Sequence, residues 1–309
     1  MKVLITGGAG YVGTSFIPLL LKEGHSVRVF DNLLMGGAAL LPFFSHPQFE
    51  FVRGDIREKS SLAEALKGAE AIVHLASIVG FPACRKYPQM SREVNVDGTQ
   101  NLVELADKNI PIIFASTGSG YGKLIGEFCT ETTPLNPLSN YGKQKVEAEK
   151  IFQDRGNVVI YRFATAYGVS PRMRLDLLIN DFTFRAVKDR SLIVYEKHFM
   201  RTFIHVRDMA RAFLFALNNF SKLKNEAYNV GDARQNVSKE DICRMILKKV
   251  DYYLHFADVG TDMDQRNYMV SYDKIAQAGF TCDVTIEAGI DELIRASQAI
   301  DVTNPFANV

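Results

Sequence analysis

The chain has 309 residues and 36 basic against 35 acidic side chains, a formal charge of +1. The length allows one large core or two unequal lobes, and the charge balance excludes the basic footprint of a nucleic-acid binder. An apolar fraction of 47% with 23% charged residues is that of an ordinary globular protein, and no apolar run approaches a membrane span, so no membrane partner is expected.

"KVLIT" (2–6) reads as a buried first strand, not as the core of a signal peptide, because glycine-rich sequence follows at once. Residues 12–23 follow as a helix. "HSVRVFD" (25–31) and "FEFVRGD" (49–55) are the next strands, joined by a Gly- and Pro-punctuated loop or short helix at 33–48. A helix near 59–67 leads to the strand "AEAIVHLA" (69–76), and a long helix near 91–108 to "PIIFAST" (111–117). A helix around Tyr141 then precedes "VVIYRFA" (158–164). Strands alternating with helices predict βαβ units, hence a parallel sheet covered on both faces. Right-handed crossovers make it a Rossmann-type doubly wound α/β fold. After about residue 165 the alternation breaks down into helices (177–187, 207–219, 238–250, 287–297) and short strands. We therefore divide the chain into a dinucleotide-binding domain over 1–165, to which segments around 200–232 return, and a smaller C-terminal substrate lobe, mainly 166–309.

Cys84, Cys129, Cys243 and Cys282 are far apart and form no C-x-x-C pair. Buried free thiols in a reducing cytoplasm are expected, with neither disulfides nor a metal site.

"VLITGGAGYVGTSF" (3–16) places Gly7, Gly10 and Gly13 between a strand and a helix. A dinucleotide needs this arrangement: a tight turn, a backbone without Cβ beside the pyrophosphate, and a helix N-terminus aimed at the anion. Asp31 ends the next strand, eighteen residues after Gly13. An acid there accepts from the adenosine ribose and repels a 2′-phosphate, which favours NAD over NADP. Asp55 and Ile56, after the third strand, either flank the adenine or simply end the strand.

"SNYGKQKVEAEK" (139–150) sets Tyr141 four residues before Lys145, on one helix face. Alone, the pair reads as well as two exposed side chains. In context it does more. T-G-G-A-G-Y-V-G at 6–13, "DNL" at 31–33, "GDIR" at 54–57, "HLAS" at 74–77, "NVDGT" at 95–99, "STGSGYG" at 116–122, "YGKQK" at 141–145 and "RTFIHVRDMA" at 201–210 occur in this order. Together they resemble the extended short-chain dehydrogenase/reductases, in the NAD-dependent nucleotide-sugar epimerase/dehydratase branch, and are similar to UDP-glucose 4-epimerases.

The resemblance implies roles. Tyr141 is the general base and acid for a sugar hydroxyl, Lys145 stabilises its phenolate and bonds the nicotinamide ribose, and Thr117 is the hydroxyl partner, with Ser116 and Ser119 as runners-up. Free Tyr has a pKa of about 10, so it needs that ammonium to act as a base at neutral pH. NAD contacts fall on Gly7, Gly10, Tyr11, Val12, Gly13, Asp31, Asn32, Asp55, Ile56, Leu75 and Ala76, besides Tyr141 and Lys145. Asn95 supports the active-site backbone, though on physical grounds alone it reads equally as a buried polar residue satisfying a turn. Arg201, Arg266 and Asn180 are implied contacts of a nucleotide diphosphate, and His205 pins a loop. "IVGFPACRKYP" (78–88) and "TAYGVSPRMRLDLLIND" (165–181), with Arg172 and Arg174, are expected to face the sugar.

Dehydratases of the branch carry T-D-E where Thr117-Gly118-Ser119 stand here, so the acid pair that eliminates water is missing. The expected reaction is NAD-dependent oxidation at C4 of a nucleotide-diphosphate sugar by a 4-epimerase. A 4-dehydrogenase releasing a keto sugar and NADH is the alternative, and a non-catalytic dinucleotide sensor is a remote one. The resemblance also implies a homodimer formed by a four-helix bundle from the Tyr141 helix and the 91–108 helix. The stripe Leu102, Leu105, Val146 and Ile151 fits that bundle or packing on its own sheet equally.

Overall fold

The structure is a computed structural model that describes residues 1–122, 128–258 and 268–300. Seven strands form the central sheet: β1 (Lys2–Thr6), β2 (Ser26–Asp31), β3 (Phe49–Arg53), β4 (Ala71–His74), β5 (Ile112–Thr117), β6 (Val158–Phe163) and a late strand (Glu226–Val230). Their order is β3-β2-β1-β4-β5-β6 and then the late strand, and all six neighbouring pairs are parallel. The order reverses between β1 and β4, which opens a crevice beyond their carboxyl ends where such sheets take ligands.

The inner strands are buried on both faces, so most of their positions are apolar. Val3 and Ile5 join a core with Phe16, Ile17 and Leu20 of the helix Tyr11–Lys22 and Phe213 of the helix Val206–Asn218. Leu4 points the other way, into a core with Leu62, Leu102, Ala148 and Phe152. Those four come from the helices Lys59–Leu66, Gly98–Leu105 and Asn140–Arg155. Leu102 and Leu105 of the predicted stripe pack here, on their own sheet.

Short strands β7 (Thr165–Tyr167), β9 (Met200–His205) and β11 (Asn236–Ser238) make a second sheet, while β8 (Ser191–Tyr195) pairs with β12 (Tyr253–Ala257). With the late strand numbered β10, these complete the twelve described strands. A third core lies under them, fed by the helices Leu178–Lys188, Lys239–Leu247 and Ile286–Ser297.

One predicted element differs. The expected long helix at 91–108 is a short helix Pro88–Arg92, a π-helical turn Glu93–Asp97 and the helix Gly98–Leu105. The π turn inserts a residue into the helical ladder and carries the buried Asn95. The far end stops where Asp107 turns the chain, its Oδ1 accepting from Asn109 N at 2.8 Å.

Candidate active site

β1 ends at Thr6 and the chain turns at Gly7, whose φ of 72° is left-handed and whose N–H donates to Phe30 O at 2.8 Å. A Cβ at Gly7 would lie 2.5 Å from Ala76 N, and one at Gly13 only 2.4 Å from Gly8 O. Both positions therefore demand glycine. Gly10 starts the Tyr11–Lys22 helix without a side-chain cap, so its positive end opens onto a cavity of about 1020 Å³. That is at the upper end of the roughly 300–1,000 Å³ usual for one ligand. Every predicted cofactor residue lines it: Gly7, Gly10, Tyr11, Val12, Gly13, Asp31, Asn32, Asp55, Ile56, Leu75, Ala76, Tyr141 and Lys145.

At one end of the cavity, Asp31 Oδ2 accepts from Ala9 N at 3.0 Å and Oδ1 from Leu33 N at 2.8 Å. Burial pushes its carboxyl up, while the two N–H groups and Arg172 pull it back. Asn32 Nδ2 donates to Asp55 Oδ2 at 2.9 Å. The Arg57 guanidinium holds Asp55 ionised, with its carboxyl down to about 2.

At the other end, Ser139 caps the helix Asn140–Arg155, its hydroxyl accepting from Gly142 N at 3.1 Å. Tyr141 is thus in the first turn and Lys145 one turn on, and both face the cavity. Lys145 is buried. Its Nζ donates to Ala115 O at 2.8 Å and sits 4.6 Å from the centre of the Phe114 ring. Burial lowers its ammonium to about 8, against a smaller opposing pull from Cys84 and Glu149.

Thr117 ends β5 on the cavity wall, and its hydroxyl donates to Ser119 Oγ at 3.1 Å. Ser116, a runner-up for Thr117, instead gives its hydroxyl to Glu149, which is locked to Arg162 at 2.7 Å in the core. Asn95 ties the site together. Its Oδ1 accepts from Ile78 N and Ser77 Oγ, both at 2.8 Å, and its Nδ2 donates to Gln144 Oε1 at 2.8 Å. The loop after β4 is thereby fixed to the residue preceding Lys145.

Two of the predicted diphosphate contacts, Asn180 and Arg201, are not among the described residues that line this cavity. Asn180 is fully buried and its amide is spent locally: Oδ1 accepts from Gly168 N at 2.9 Å and Nδ2 donates to Arg174 O at 2.8 Å. It holds a loop, and a diphosphate would have to displace those bonds to use it. Arg201 is buried on β9, where its Nη1 donates to Met200 O at 3.1 Å. Arg266 lies outside the described residues. His205 is structural: its Nδ1 accepts from Arg207 N at 3.2 Å and caps the helix Val206–Asn218.

Sequence reasoning put Arg172 beside the sugar. The structure puts it in the cavity wall, in electrostatic range of Asp31. Tyr268 was missed altogether. It is buried in the cavity wall, with its hydroxyl 3.4 Å from where a Cβ on Gly118 would stand. Neither residue belongs to a spacing pattern that could have announced it.

Comparison with known proteins decides the family. The model of the NAD dependent epimerase/dehydratase family matches residues 3–231. The chain belongs to that family. It is 30% identical to the CDP-paratose 2-epimerase of Salmonella typhi over 97% of this chain and 100% of that one. It is 31% identical to a putative UDP-glucose 4-epimerase of Methanocaldococcus jannaschii over 77% of this chain and 79% of the other. Among solved structures, the UDP-glucuronic acid 4-epimerase of Bacillus cereus, in complex with UDP-glucuronic acid and NAD, superposes with a TM-score of 0.86. The identity is 25%, covering 97% of this chain and 99% of the other.

As a family member the protein is an NAD-dependent enzyme of the isomerase and oxidoreductase kind. Its own residues fit the cofactor: the loop at Gly7 and Gly13 leaves no room for side chains, and the uncapped helix end faces the cavity. Among the described residues no helix is long and apolar enough to cross a membrane, and no His, Cys, Asp and Glu cluster could hold a metal ion.

Proposed function

We propose that the protein is a nucleotide-sugar 4-epimerase. The reading is carried by one observation: Tyr141, Lys145 and Thr117 line one cavity, and among the described residues no carboxylate lines it at their end. The acids among the described lining residues, Asp31 and Asp55, stand after β2 and β3, at the adenosine end. Tyr141 takes the proton of the C4 hydroxyl and later returns it. Lys145 stabilises the phenolate, and Thr117 orients the same hydroxyl. NAD⁺, when bound, supplies the hydride acceptor and donor. Elimination of water needs a carboxylic acid and a base beside the sugar, and the described residues of this wall offer hydroxyls and phenols instead.

The dinucleotide half is read as residues 1–165 with 200–232, and the sugar half as mainly 166–309, with Arg201 and Arg266 toward the nucleotide diphosphate. The four cysteines are free and buried, which supports a reducing cytoplasm. A homodimer through the Asn140–Arg155 helix is part of the reading; light scattering on the purified protein tests it.

The reaction is tested by incubating the protein with UDP-, GDP-, CDP- and dTDP-sugars. An equilibrium mixture of C4 epimers without added NAD⁺ is the expected result. NADH accumulating with a keto sugar would replace the epimerase by a dehydrogenase. The likeness to a 2-epimerase favours a second reading, oxidation at C2. Deuterium at C4 of the substrate should slow turnover; slowing by deuterium at C2 instead would select that second reading.

A further inference from the structure

Among the described residues, the cavity wall contains an arginine with no ion pair and a buried guanidinium nitrogen that has no hydrogen-bond partner. Arg57 and Arg174, which also line it, are paired with Asp55 at 2.9 Å and Asp176 at 2.6 Å. Arg172 lines it too, is 6% exposed, and its buried Nη2 has no hydrogen-bond partner. A guanidinium cannot shed its proton to escape burial. An unpaired buried charge is among the costliest arrangements in a protein. Its presence in the wall of a ligand cavity calls for an anion that arrives with the ligand.

The backbone around Arg172 fixes where that anion lies. Residues 168–172 run as a strap across the first turn of the Tyr11–Lys22 helix. Tyr11 Oη donates to Gly168 O at 2.6 Å, Ser170 Oγ to Tyr11 O at 2.6 Å, and Arg172 N to Thr14 Oγ1 at 3.3 Å. The guanidinium therefore belongs to the uncapped, positive end of that helix, and Asp31 feels its charge. These features put it with the glycine loop and the start of the Tyr11–Lys22 helix.

We propose that Arg172 is a second anchor for the dinucleotide's diphosphate, lowered onto it from the C-terminal lobe. The glycine loop and helix end hold the diphosphate from one side, and Arg172 closes over the other. Asn180 fastens the strap from behind through Gly168 and Arg174, so cofactor release requires the strap to lift. The cofactor consequently stays with the protein through turnover and purification. The proposal rests on the dinucleotide reading of the cavity, not on which carbon is oxidised.

The test is calorimetric titration of Arg172→Met, Arg172→Lys and the wild type with ADP-ribose, adenosine and UDP. Losing a charge-assisted bond to a diphosphate should weaken ADP-ribose binding by about 10- to 100-fold in Arg172→Met. Arg172→Lys should recover part of it, and adenosine and UDP should bind all three proteins alike. The ligand-free Arg172→Met protein should melt no lower than the wild type, because an uncompensated charge has been removed, and should purify with less NAD. Equal ADP-ribose affinity in wild type and Arg172→Met would overturn the proposal. So would a loss confined to UDP, which would move Arg172 to the sugar nucleotide. A lower melting temperature with ADP-ribose binding intact would make Arg172 merely structural. If the wild type itself fails to bind ADP-ribose, the dinucleotide reading falls with it.

Discussion

A phenol becomes a base only when its anion is cheaper than in water, and on the proposed reading Tyr141 has two sources of help. As the second residue of the Asn140–Arg155 helix it sits at the positive end of the helix dipole. One turn away, Lys145 contributes a full charge from a buried position. The same burial that strengthens this interaction also weakens the ammonium, bringing it down from 10.5 to about 8. Lys145 is charged below that value and neutral above it, so catalytic efficiency should fall as pH rises through about 8. A pH–rate profile of kcat/KM checks this. A plateau extending to about pH 10 would show that the lysine keeps its proton and that burial does not set the alkaline limit. Tyr141→Phe should lower kcat by about 10²- to 10⁴-fold and leave the melting temperature unchanged, since the ring is retained.

Elements explain what could be read in advance and what could not. The sheet was legible because buried parallel strands are continuous apolar runs, and runs such as "KVLIT" and "VVIYRF" became strands almost residue for residue. The cavity wall around the glycine loop was equally legible, because its residues are local to strand ends. Gly7, Asp31, Asp55 and Ala76 each follow or close a strand that the switch point brings together. Legibility ends where function depends on the path of a segment across another. Arg172 reaches the cavity wall only because its strap crosses the first helix, and Asn180 is consumed by that strap. The π turn at Glu93–Asp97 was hidden for a related reason. A helical apolar period is nearly unchanged by one inserted residue, yet the insertion accompanies an inward Asn95 bonded to Ser77, Ile78 and Gln144. Asn95→Ala leaves Ser77, Ile78 and Gln144 without these bonds, at a cost of about 1–3 kcal/mol for the buried groups left unpaired. It should also loosen the loop that lines the cavity. We expect a lower melting temperature together with a raised KM for the sugar nucleotide. A fall in melting temperature with unchanged kinetics would reduce Asn95 to a packing role.

The whole molecule stores part of its stability in neutral histidines, and acid should release it. His74 is buried at the end of β4, its Nδ1 2.7 Å from Thr6 Oγ1 and its ring stacked on Phe114. Burial, aided by the charge of Lys145, lowers it from 6.5 to about 3. His205 is buried at the joint between β9 and the helix Val206–Asn218, and burial with Arg207 lowers it to about 4. In both cases the folded pKa is below the unfolded value, so the unfolded chain takes up the proton first. Their contribution is complete above about pH 6.5 and is lost as pH falls toward about 4 and about 3. At about pH 5 each histidine has given up roughly 2 kcal/mol. Asp181, whose carboxyl burial raises to about 6, works in the opposite direction. It is discounted because about two-fifths of its side chain remains in solvent. Chemical denaturation at about pH 7.5 and about pH 5 should therefore show a net loss of a few kcal/mol. His205→Asn should be less stable at the higher pH and should lose less on acidification. Parallel losses in the variant and the wild type would mean that His205 takes its proton while folded, and that other groups drive acid unfolding.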